Sequence, residues 1–293
     1  MILDGKKASQ NYKEDLKKEV DILLAAGKRA PHLAAILVGH DGASETYINS
    51  KVKNCAETGF TSTLLRLDET ISETVLLEKI KIFNDDIDID GILVQLPLPK
   101  HINEQKIIEA IDPGKDVDGF HPINAGKLVQ GIPAFISATP YGIMLLLEYY
   151  NIETKGKNAV VIGRSNIVGR HMSILLSSSM PYGNCTVTLC HSHTRNLEEI
   201  CAGADIIVAA LGKPGFVHAG MVKEGAVVID VGITRIPDAT KKSGYRLQGD
   251  VDFENVAQKC SAITPVPGGV GLMTITGLLK NTMQAYHSRQ QEK

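Results

Sequence analysis

Two acidic side chains and a glycine share a short segment of the chain, Lys115-Asp116-Val117-Asp118-Gly119. A carboxylate in such a loop can accept hydrogen bonds from a bound ligand, or it can cap a turn. Gln95 ends a predicted strand, and ligands of open α/β sheets bind at the carboxyl ends of strands. The second carboxylate can fold back over the same crevice as Gln95. Spacing alone leaves two other roles open, turn capping for either carboxylate and simple strand termination before Pro97 for Gln95.

A tyrosine and a lysine, Tyr47 and Lys51, lie four residues apart in a predicted helix, which places them on one face. A tyrosine ring offers a flat surface to a planar ligand, and a lysine can donate or accept a proton. Spacing alone favours an ordinary exposed pair.

A third candidate site lies in residues 159–170, which read as a buried strand, a tight turn and the start of a helix. Gly163 and Gly169 let the backbone approach a phosphate, and helix N-terminal N–H groups point at it. The spacing Gly-x-Ser-x-x-x-Gly differs from the usual dinucleotide motif, and glycines in such a turn also serve close packing.

The choice of dinucleotide follows from the next strand, which ends in Cys190-His191-Ser192-His193-Thr194-Arg195. A site for NAD places an acidic residue there to bind the ribose 2′-hydroxyl, and this segment has none. Arg164 and Ser192 can instead hold a 2′-phosphate, so the sequence favours NADP. The alternative is that these polar residues form only a solvated rim.

The fold class predicted from the pattern is α/β, because short β-branched runs alternate with helical segments. The predicted strands cover residues 33–38, 61–67, 91–95, 159–162, 186–189, 206–209 and 226–230. Predicted helices lie near residues 8–26, 44–58 and 72–84. Residues 112–138 are predicted to be irregular. Thr139 is predicted to cap a helix over residues 141–150 with Pro140 at its first position. A second α/β unit over about 151–265 and a final helix over about 270–288 follow.

Composition excludes several classes of function. The 293 residues include 31 basic and 33 acidic side chains, so a net charge of -2 gives no reason to expect a nucleic acid or a membrane as partner. A small metabolite is the expected ligand. The N-terminal residues have no apolar signal-peptide region, so a cytoplasmic protein is expected. The five cysteines are odd in number and lack a Cys-x-x-Cys pair, which indicates neither a disulfide framework nor a metal site.

Four segments, taken together and in order, resemble one enzyme family, methylenetetrahydrofolate dehydrogenase/cyclohydrolase, often called FolD. They are residues 38–44 followed by Tyr47 and Lys51, then 94–99, 115–121 and 265–271. The resemblance implies a folate-binding domain of residues 1–140 and 270–293, and a Rossmann-like doubly wound NADP domain of residues 141–269, with a cleft between them. It also implies a homodimer, with a role in one-carbon metabolism and purine biosynthesis.

The resemblance also implies the roles of single residues. Lys51 is the catalytic lysine, Gln95 its partner, Tyr47 the ring that stacks on the pterin, and Asp118 the carboxylate that holds the amino-pyrimidine edge. Further substrate contacts are implied for Pro265, Gly268 and Gly269. NADP contacts are implied for Gly163, Arg164, Ser165, Ser192 and Ile233.

The implied chemistry has two steps on one folate. A hydride passes from 5,10-methylenetetrahydrofolate to NADP, and water then opens the 5,10-methenyl cation to 10-formyltetrahydrofolate. An unperturbed lysine, with a pKa of about 10.4, is a poor base at neutral pH. We therefore expect the cationic substrate to lower the pKa of Lys51, while the amide oxygen of Gln95 accepts a hydrogen bond from Lys51 and orients it. Two alternatives remain: a shikimate-dehydrogenase-like oxidoreductase, and a binding module without catalysis.

Overall fold

The computed structural model describes residues 1–241 and 244–291, which form two compact units. The N-terminal unit consists of Gln10–Ala138 and Ile275–Lys293. The central unit consists of Met1–Ser9 and Thr139–Thr274. Each unit is built on a parallel sheet, so the predicted two-domain α/β fold is confirmed.

The N-terminal unit contains a three-stranded parallel sheet in the order β2-β1-β3. Its strands are β1 (His32–Val38), β2 (Thr61–Leu67) and β3 (Gly91–Val94). Its helices are α1 (Gly5–Ala25, which begins in the central unit), α2 (Gly42–Glu57), α3 (Glu73–Asp85), α4 (Glu104–Ala110) and α5 (Pro122–Val129). The last helix, α10 (Val270–Gln291), ends in this unit.

The central strand β1 supplies both cores of the N-terminal unit. Leu33, Ala35 and Leu37 point into one hydrophobic cluster, and Ala34 and Ile36 point into the other. Because side chains of a strand alternate between faces, a strand buried on both faces reads as the continuous apolar run seen in the sequence.

The central unit contains a five-stranded parallel sheet in the order β10-β7-β6-β4-β5. Its strands are β4 (Asn158–Ile162), β5 (Thr186–Cys190), β6 (Ile206–Ala209), β7 (Val227–Asp230) and β10 (Ala262–Ile263). A separate antiparallel hairpin pairs β8 (Thr234–Pro237) with β9 (Tyr245–Gln248). The remaining helices are α6 (Ala138–Tyr149), α7 (Gly169–Ser177), α8 (Leu197–Ala202) and α9 (Phe253–Val256).

Two local predictions are wrong. Helix α6 begins at Ala138, so Thr139 lies inside the helix instead of capping it. The Thr139 hydroxyl is 3.1 Å from the hydroxyl of Thr274, to which it hydrogen-bonds. The segment 112–138, predicted to be irregular, contains α5, which begins with a proline at its first turn and has the His121 ring as its cap acceptor.

The first nine residues lie in the central unit, whereas the predicted folate domain of residues 1–140 included them. The Leu3 N–H donates to the Ile263 carbonyl at 2.8 Å, and the Ile263 N–H donates to the Met1 carbonyl at 3.0 Å. Since this pairing extends the sheet beyond β10, residues 1–9 belong to the central unit. Residues 292 and 293, the end of the predicted folate domain, lie outside the described residues. Among the helices described, none is long and apolar enough to cross a membrane.

Candidate active site

Helix α2 carries Lys51 on its buried face. The Asp41 carboxylate accepts the Ser44 N–H at 2.8 Å, which satisfies one unpaired donor of the first turn and fixes where the helix begins. Lys51 shares the buried face with Ile48 and Cys55, and only 6% of the lysine is exposed. The interpretation of Tyr47 and Lys51 as an ordinary exposed pair is therefore wrong.

Lys51, Gln95 and Asp118 form one cluster in the N-terminal unit. The Lys51 Nζ donates to Gln95 Oε1 at 3.2 Å, the hydrogen bond expected from the sequence. It lies 3.8 Å from Asp118 Oδ1, which is an ion-pair distance but too long for a hydrogen bond. Both carboxylate oxygens of Asp118 therefore keep the capacity to accept hydrogen bonds from a ligand.

Gln95 is oriented by the strand that precedes it. Its backbone N–H donates to the Ile36 carbonyl at 2.9 Å, which continues the pairing of β3 with β1. Its side-chain Nε2 donates to the Leu96 carbonyl at 2.7 Å. Because the amide nitrogen is fixed in this way, the amide oxygen is the atom that faces Lys51.

Lys115 anchors the loop that carries Asp118. Its carbonyl accepts the Ile92 N–H of β3 at 2.7 Å. Its ammonium group donates to the carbonyls of Phe83, Asn84 and Asp86 at 2.9, 2.7 and 2.6 Å, at the end of α3. Burial lowers the pKa of Lys115 to about 8, with the Arg289 charge adding to the effect.

Asp116 is the carboxylate that caps the turn. It accepts the N–H groups of Phe120 and His121 at 3.2 and 2.8 Å and the Asn124 amide at 3.0 Å. Burial raises the pKa of Asp116 to about 6, with the neighbouring Asp118 charge contributing. The structure thus separates the two acidic residues of the segment: Asp116 holds the turn, and Asp118 faces Lys51.

Gly119 allows the loop to pass closely against the chain before α6. Its φ of +71° is in the left-handed region, and a Cβ there would lie 2.5 Å from the Ser137 nitrogen. The Asp118 carbonyl accepts the Ala138 N–H at 3.1 Å. The backbone of Asp118 and Gly119 is therefore held against residues 136–138.

Tyr47 lies one turn before Lys51 in α2, as the spacing predicted, and is half-buried. Burial raises the pKa of its phenol, so the ring remains neutral at physiological pH. A neutral, partly exposed ring beside the Lys51 cluster can stack on a planar ligand.

In the central unit, the turn after β4 has the geometry of a phosphate cradle. Gly163 has a φ of +120°, and a Cβ on it would collide with the Ala210 carbonyl. A Cβ on Gly169 would collide with the Gly163 carbonyl. These two glycines bring the strand end, the next loop and the start of α7 into direct backbone contact, as a dinucleotide-binding turn requires.

The residues predicted to contact a dinucleotide lie at the same end of this sheet. Gly163 follows β4, Ser192 follows β5 and Ile233 follows β7; the sheet is parallel, so all three lie at its carboxyl edge. Arg164 and Ser192 are exposed, and 48% of Ile233 is exposed. The cradle, an exposed cation and an edge without a carboxylate after β5 fit a 2′-phosphorylated dinucleotide.

Ser165 has a second role in the same turn. Its hydroxyl oxygen accepts the N–H groups of Val168 and Gly169 at 3.1 and 3.5 Å, at the start of α7. The hydroxyl proton remains available for donation to a ligand. Ser165 therefore shapes the turn in addition to its predicted ligand contact.

Asp230, which the sequence analysis did not single out, holds a second loop at this edge. Its carboxylate accepts the N–H groups of Gly232, Asp250 and Val251 at 3.0, 2.8 and 3.0 Å. Burial raises the pKa of Asp230 to about 6, and the charge of Asp250 contributes. Ile233 follows directly on the turn that this carboxylate fixes.

Pro265, Gly268 and Gly269 lie in the central unit, in the turn between β10 and α10. The Gly268 carbonyl accepts the Gly5 N–H at 2.9 Å. A Cβ on Gly5 would collide with the Gly269 carbonyl. The close packing of this turn against the start of α1 therefore already explains why a glycine stands at position 5. Their substrate-binding role stays a prediction.

Comparison with known proteins decides the family. The model of the tetrahydrofolate dehydrogenase/cyclohydrolase catalytic domain matches residues 3–118. The model of the NAD(P)-binding domain of the same enzymes matches residues 137–290. The chain belongs to the tetrahydrofolate dehydrogenase/cyclohydrolase family. The resemblance drawn from the four motifs is confirmed, and the shikimate-dehydrogenase-like alternative does not hold.

Relatives within this family cover nearly the whole chain. The bifunctional protein FolD of Porphyromonas gingivalis is 60% identical over 97% of this chain and 96% of that relative. The crystal structure of FolD from Campylobacter jejuni is 47% identical, with a TM-score of 0.92 and 99% of each chain covered. The Trypanosoma brucei enzyme, complexed with NADP cofactor and inhibitor, is 35% identical, with a TM-score of 0.93 and coverage of 98% and 97%.

One side chain that supports the candidate site was missed, and another was assigned only an open alternative. Lys115 was read only as part of the motif, and turn capping was left open for either aspartate, yet Lys115 and Asp116 fasten the Asp118 loop to α3, β3 and α5. The available signal was chemical: a lysine and an aspartate beside a glycine turn need partners if they are buried.

Proposed function

We propose that the protein oxidises 5,10-methylenetetrahydrofolate to 5,10-methenyltetrahydrofolate with NADP and hydrolyses the product to 10-formyltetrahydrofolate. The observation that carries the proposal is the buried contact of Lys51 with Gln95 and Asp118 in a chain of this family. A lysine held between an amide oxygen and a carboxylate is suited to proton transfer, and the carboxylate is suited to a ligand with adjacent N–H donors.

The first step requires positioning more than acid–base help. Asp118 accepts two hydrogen bonds from the amino-pyrimidine edge of the folate, and Tyr47 stacks on its pterin ring. Together they fix the plane and the rotation of the ring system. NADP, when bound, supplies the nicotinamide that accepts the hydride from the methylene bridge.

The second step requires proton transfer, and Lys51 is the group placed for it. As water attacks the cationic methenyl carbon beside it, the Lys51 amine accepts a proton from the water. The carbon–N5 bond then breaks, N5 receives that proton, and the hydroxyl proton is released as the formyl carbonyl forms. Gln95 orients the amine throughout by accepting its hydrogen bond.

The choice of NADP is supported by the carboxyl edge of the central sheet. The segment after β5 presents Ser192 and histidines instead of an acidic residue, and Arg164 is exposed in the adjacent turn. The T. brucei relative is complexed with NADP. Gly163 and Ser165 would hold the pyrophosphate side of the dinucleotide, and Ile233 would pack against it.

The experiment that tests this function follows absorbance when the purified protein meets 5,10-methylenetetrahydrofolate with NADP, and separately with NAD. A parallel reaction starts from preformed methenyl-folate without a dinucleotide. We expect formation of NADPH and accelerated loss of the methenyl absorbance. Folate binding without turnover in either reaction would instead support the non-catalytic binding module.

We also propose that the protein is a cytoplasmic homodimer that serves one-carbon metabolism and purine biosynthesis. The dimer and the pathway are supported by the family resemblance alone. The cytoplasmic location is supported by the five free cysteines, four of them buried, which are typical of a reducing compartment. Light scattering coupled to size-exclusion chromatography tests the dimer, and a mass of about 32 kDa would contradict it.

A further inference from the structure

We propose that Asn281 is a positioning residue for folate binding, because it joins the residue before Asp118 to the segment that packs against Gly119, the residue after Asp118. The inference rests on the proposed function and goes beyond it by assigning a role to a residue of α10. Asn281 lies 164 positions along the chain from the carbonyl it binds in the Asp118 loop.

The contact uses both protons of one side-chain amide. Nδ2 of Asn281 donates to the Val117 carbonyl at 2.8 Å and to the Ile136 carbonyl at 2.7 Å. Asn281 and Val117 are both fully buried. All three residues belong to the N-terminal unit, as do Lys51 and Gln95.

The two carbonyls that accept from Asn281 lie close to Asp118 and its neighbour. Val117 directly precedes Asp118, and the Ile136 carbonyl lies against Gly119, where a Cβ would be 2.7 Å from it. The Asp118 carbonyl is itself held by the Ala138 N–H. The amide of Asn281 therefore joins the Asp118 loop to the segment before α6, and the direction of the Asp118 side chain follows from that junction.

The amide oxygen of Asn281 indicates that the NH2 group is the functional part of this side chain. The Oδ1 atom of Asn281 is buried and has no hydrogen-bond partner among the described residues. An apolar side chain of similar size would avoid the cost of burying that oxygen. The two donated hydrogen bonds explain why an amide occupies the position.

Loss of the donor leaves two carbonyls without their partner, and the loop has to shift to pair them. A misplacement of about 1 Å in a positioning group lowers activity by up to about 100-fold. The shift is felt at Asp118, which binds the folate. It does not reach the cradle at Gly163, whose contacts are made with Ala210 within the central unit.

The test compares Asn281→Leu, which removes both donors, with Asn281→Ser, which keeps one. The matched control is Thr282→Val, because Thr282 is the next buried residue of α10 and its hydroxyl donates to the Leu278 carbonyl of the same helix at 2.9 Å. Measured quantities are KM and kcat for both folate reactions, KM for NADP, the tetrahydrofolate dissociation constant by calorimetry, and the unfolding temperature.

We expect KM for both folates to rise about tenfold or more in Asn281→Leu, by less in Asn281→Ser, and by less than about twofold in Thr282→Val. KM for NADP stays within about twofold of wild type in all three. Folate constants that stay unchanged, or that follow the unfolding temperature across the three variants, would overturn the inference. Wild-type turnover measured in the same series tests the proposed function separately.

Discussion

In the N-terminal unit, Lys51 is 6% exposed and is held by the side chains of Gln95 and Asp118. In the central unit, Arg164 is exposed, and the turn that carries it is shaped by backbone contacts at Gly163. The first region controls the direction of single side chains, since proton transfer depends on the placement of one atom. The second region has glycines where a side chain would block the turn, since a phosphate binds there by coming close to backbone N–H groups.

The two regions share one device, a buried aspartate that collects backbone N–H groups. Asp116 holds the loop of Asp118, and Asp230 holds the turn before Ile233. In both places a carboxylate that accepts backbone N–H groups fixes a loop that is predicted to contact a ligand. The comparison separates the residues proposed to contact ligands from the residues that hold their loops in place.

The largest expected effect is that of Lys51→Met. We expect the hydrolysis of methenyl-folate to fall about 100- to 10,000-fold, because the variant lacks the group that transfers protons. KM for NADP should stay unchanged, since the cofactor contacts belong to the central unit. Lys53→Met is the matched control, because Lys53 is an exposed lysine of the same helix. Full cyclohydrolase activity in Lys51→Met would contradict the assignment of Lys51.

Gly163→Ala tests the second region. We expect a loss of more than about 3 kcal/mol in the free energy of unfolding, because the new Cβ meets the Ala210 carbonyl at a positive φ. Binding of NADP should be lost with it. Gly203→Ala is the control in the same unit, since a Cβ there lies 3.7 Å from its nearest neighbour. Equal unfolding temperatures and NADP affinities for the two variants would show that the cradle tolerates a side chain.

The two buried aspartates predict a dependence of stability on pH. Their pKa values are raised from 3.8 to about 6, so the folded state holds the proton more tightly than the unfolded state does. The stabilising contribution is complete below pH 3.8 and is lost as the pH rises through 6. Each group then lowers the free energy of unfolding by about 2 kcal/mol between pH 4.5 and 7.5.

Urea unfolding of Asp116→Asn and Asp230→Asn at these two pH values measures the effect. Each variant should lose less stability, relative to wild type, at pH 7.5 than at pH 4.5. Asp21→Asn is the control, because Asp21 lies on the surface of α1. A deficit that is the same at both pH values would mean that the replaced aspartate does not titrate in this range.

The smallest expected effect is that of Arg164→Ala. We expect KM for NADP to rise about tenfold while KM for NAD stays nearly constant, because an exposed cation contributes modestly to binding the 2′-phosphate. Arg246→Ala, in the exposed part of β9, controls for the loss of one positive charge. A rise that is equal for both dinucleotides would remove Arg164 from the choice between them.

The sheet strands were predictable because their signal is local. Buried apolar runs predicted β1, β3 and β6 to within one residue. The hairpin of β8 and β9 was missed because its residues are only half-buried and alternate weakly. Helix α5 was missed because a proline and a histidine at its start read as loop.

Less of the site was predictable than of the fold. The contact of Lys51 with Gln95 followed from the order of the motifs. The burial of Lys51 was not predictable, because the i,i+4 spacing with Tyr47 is the same whether that face of the helix is buried or exposed. The different duties of Asp116 and Asp118 depend on which N–H groups the folded loop presents, and Asn281 reaches that loop from a remote helix.

The two units alternate along the chain, and this has a consequence for biosynthesis. The central unit consists of residues 1–9 and 139–274, so its two parts are synthesised at different times. The N-terminal unit is complete only once the segment from Ile275 onward has been synthesised. A nascent chain that has emerged as far as residue 274 still lacks Asn281, so the loop of Asp118 has no amide to pair its carbonyls. The loop of Asp118 therefore gains its hydrogen bonds from Asn281 only after α10 has emerged from the ribosome.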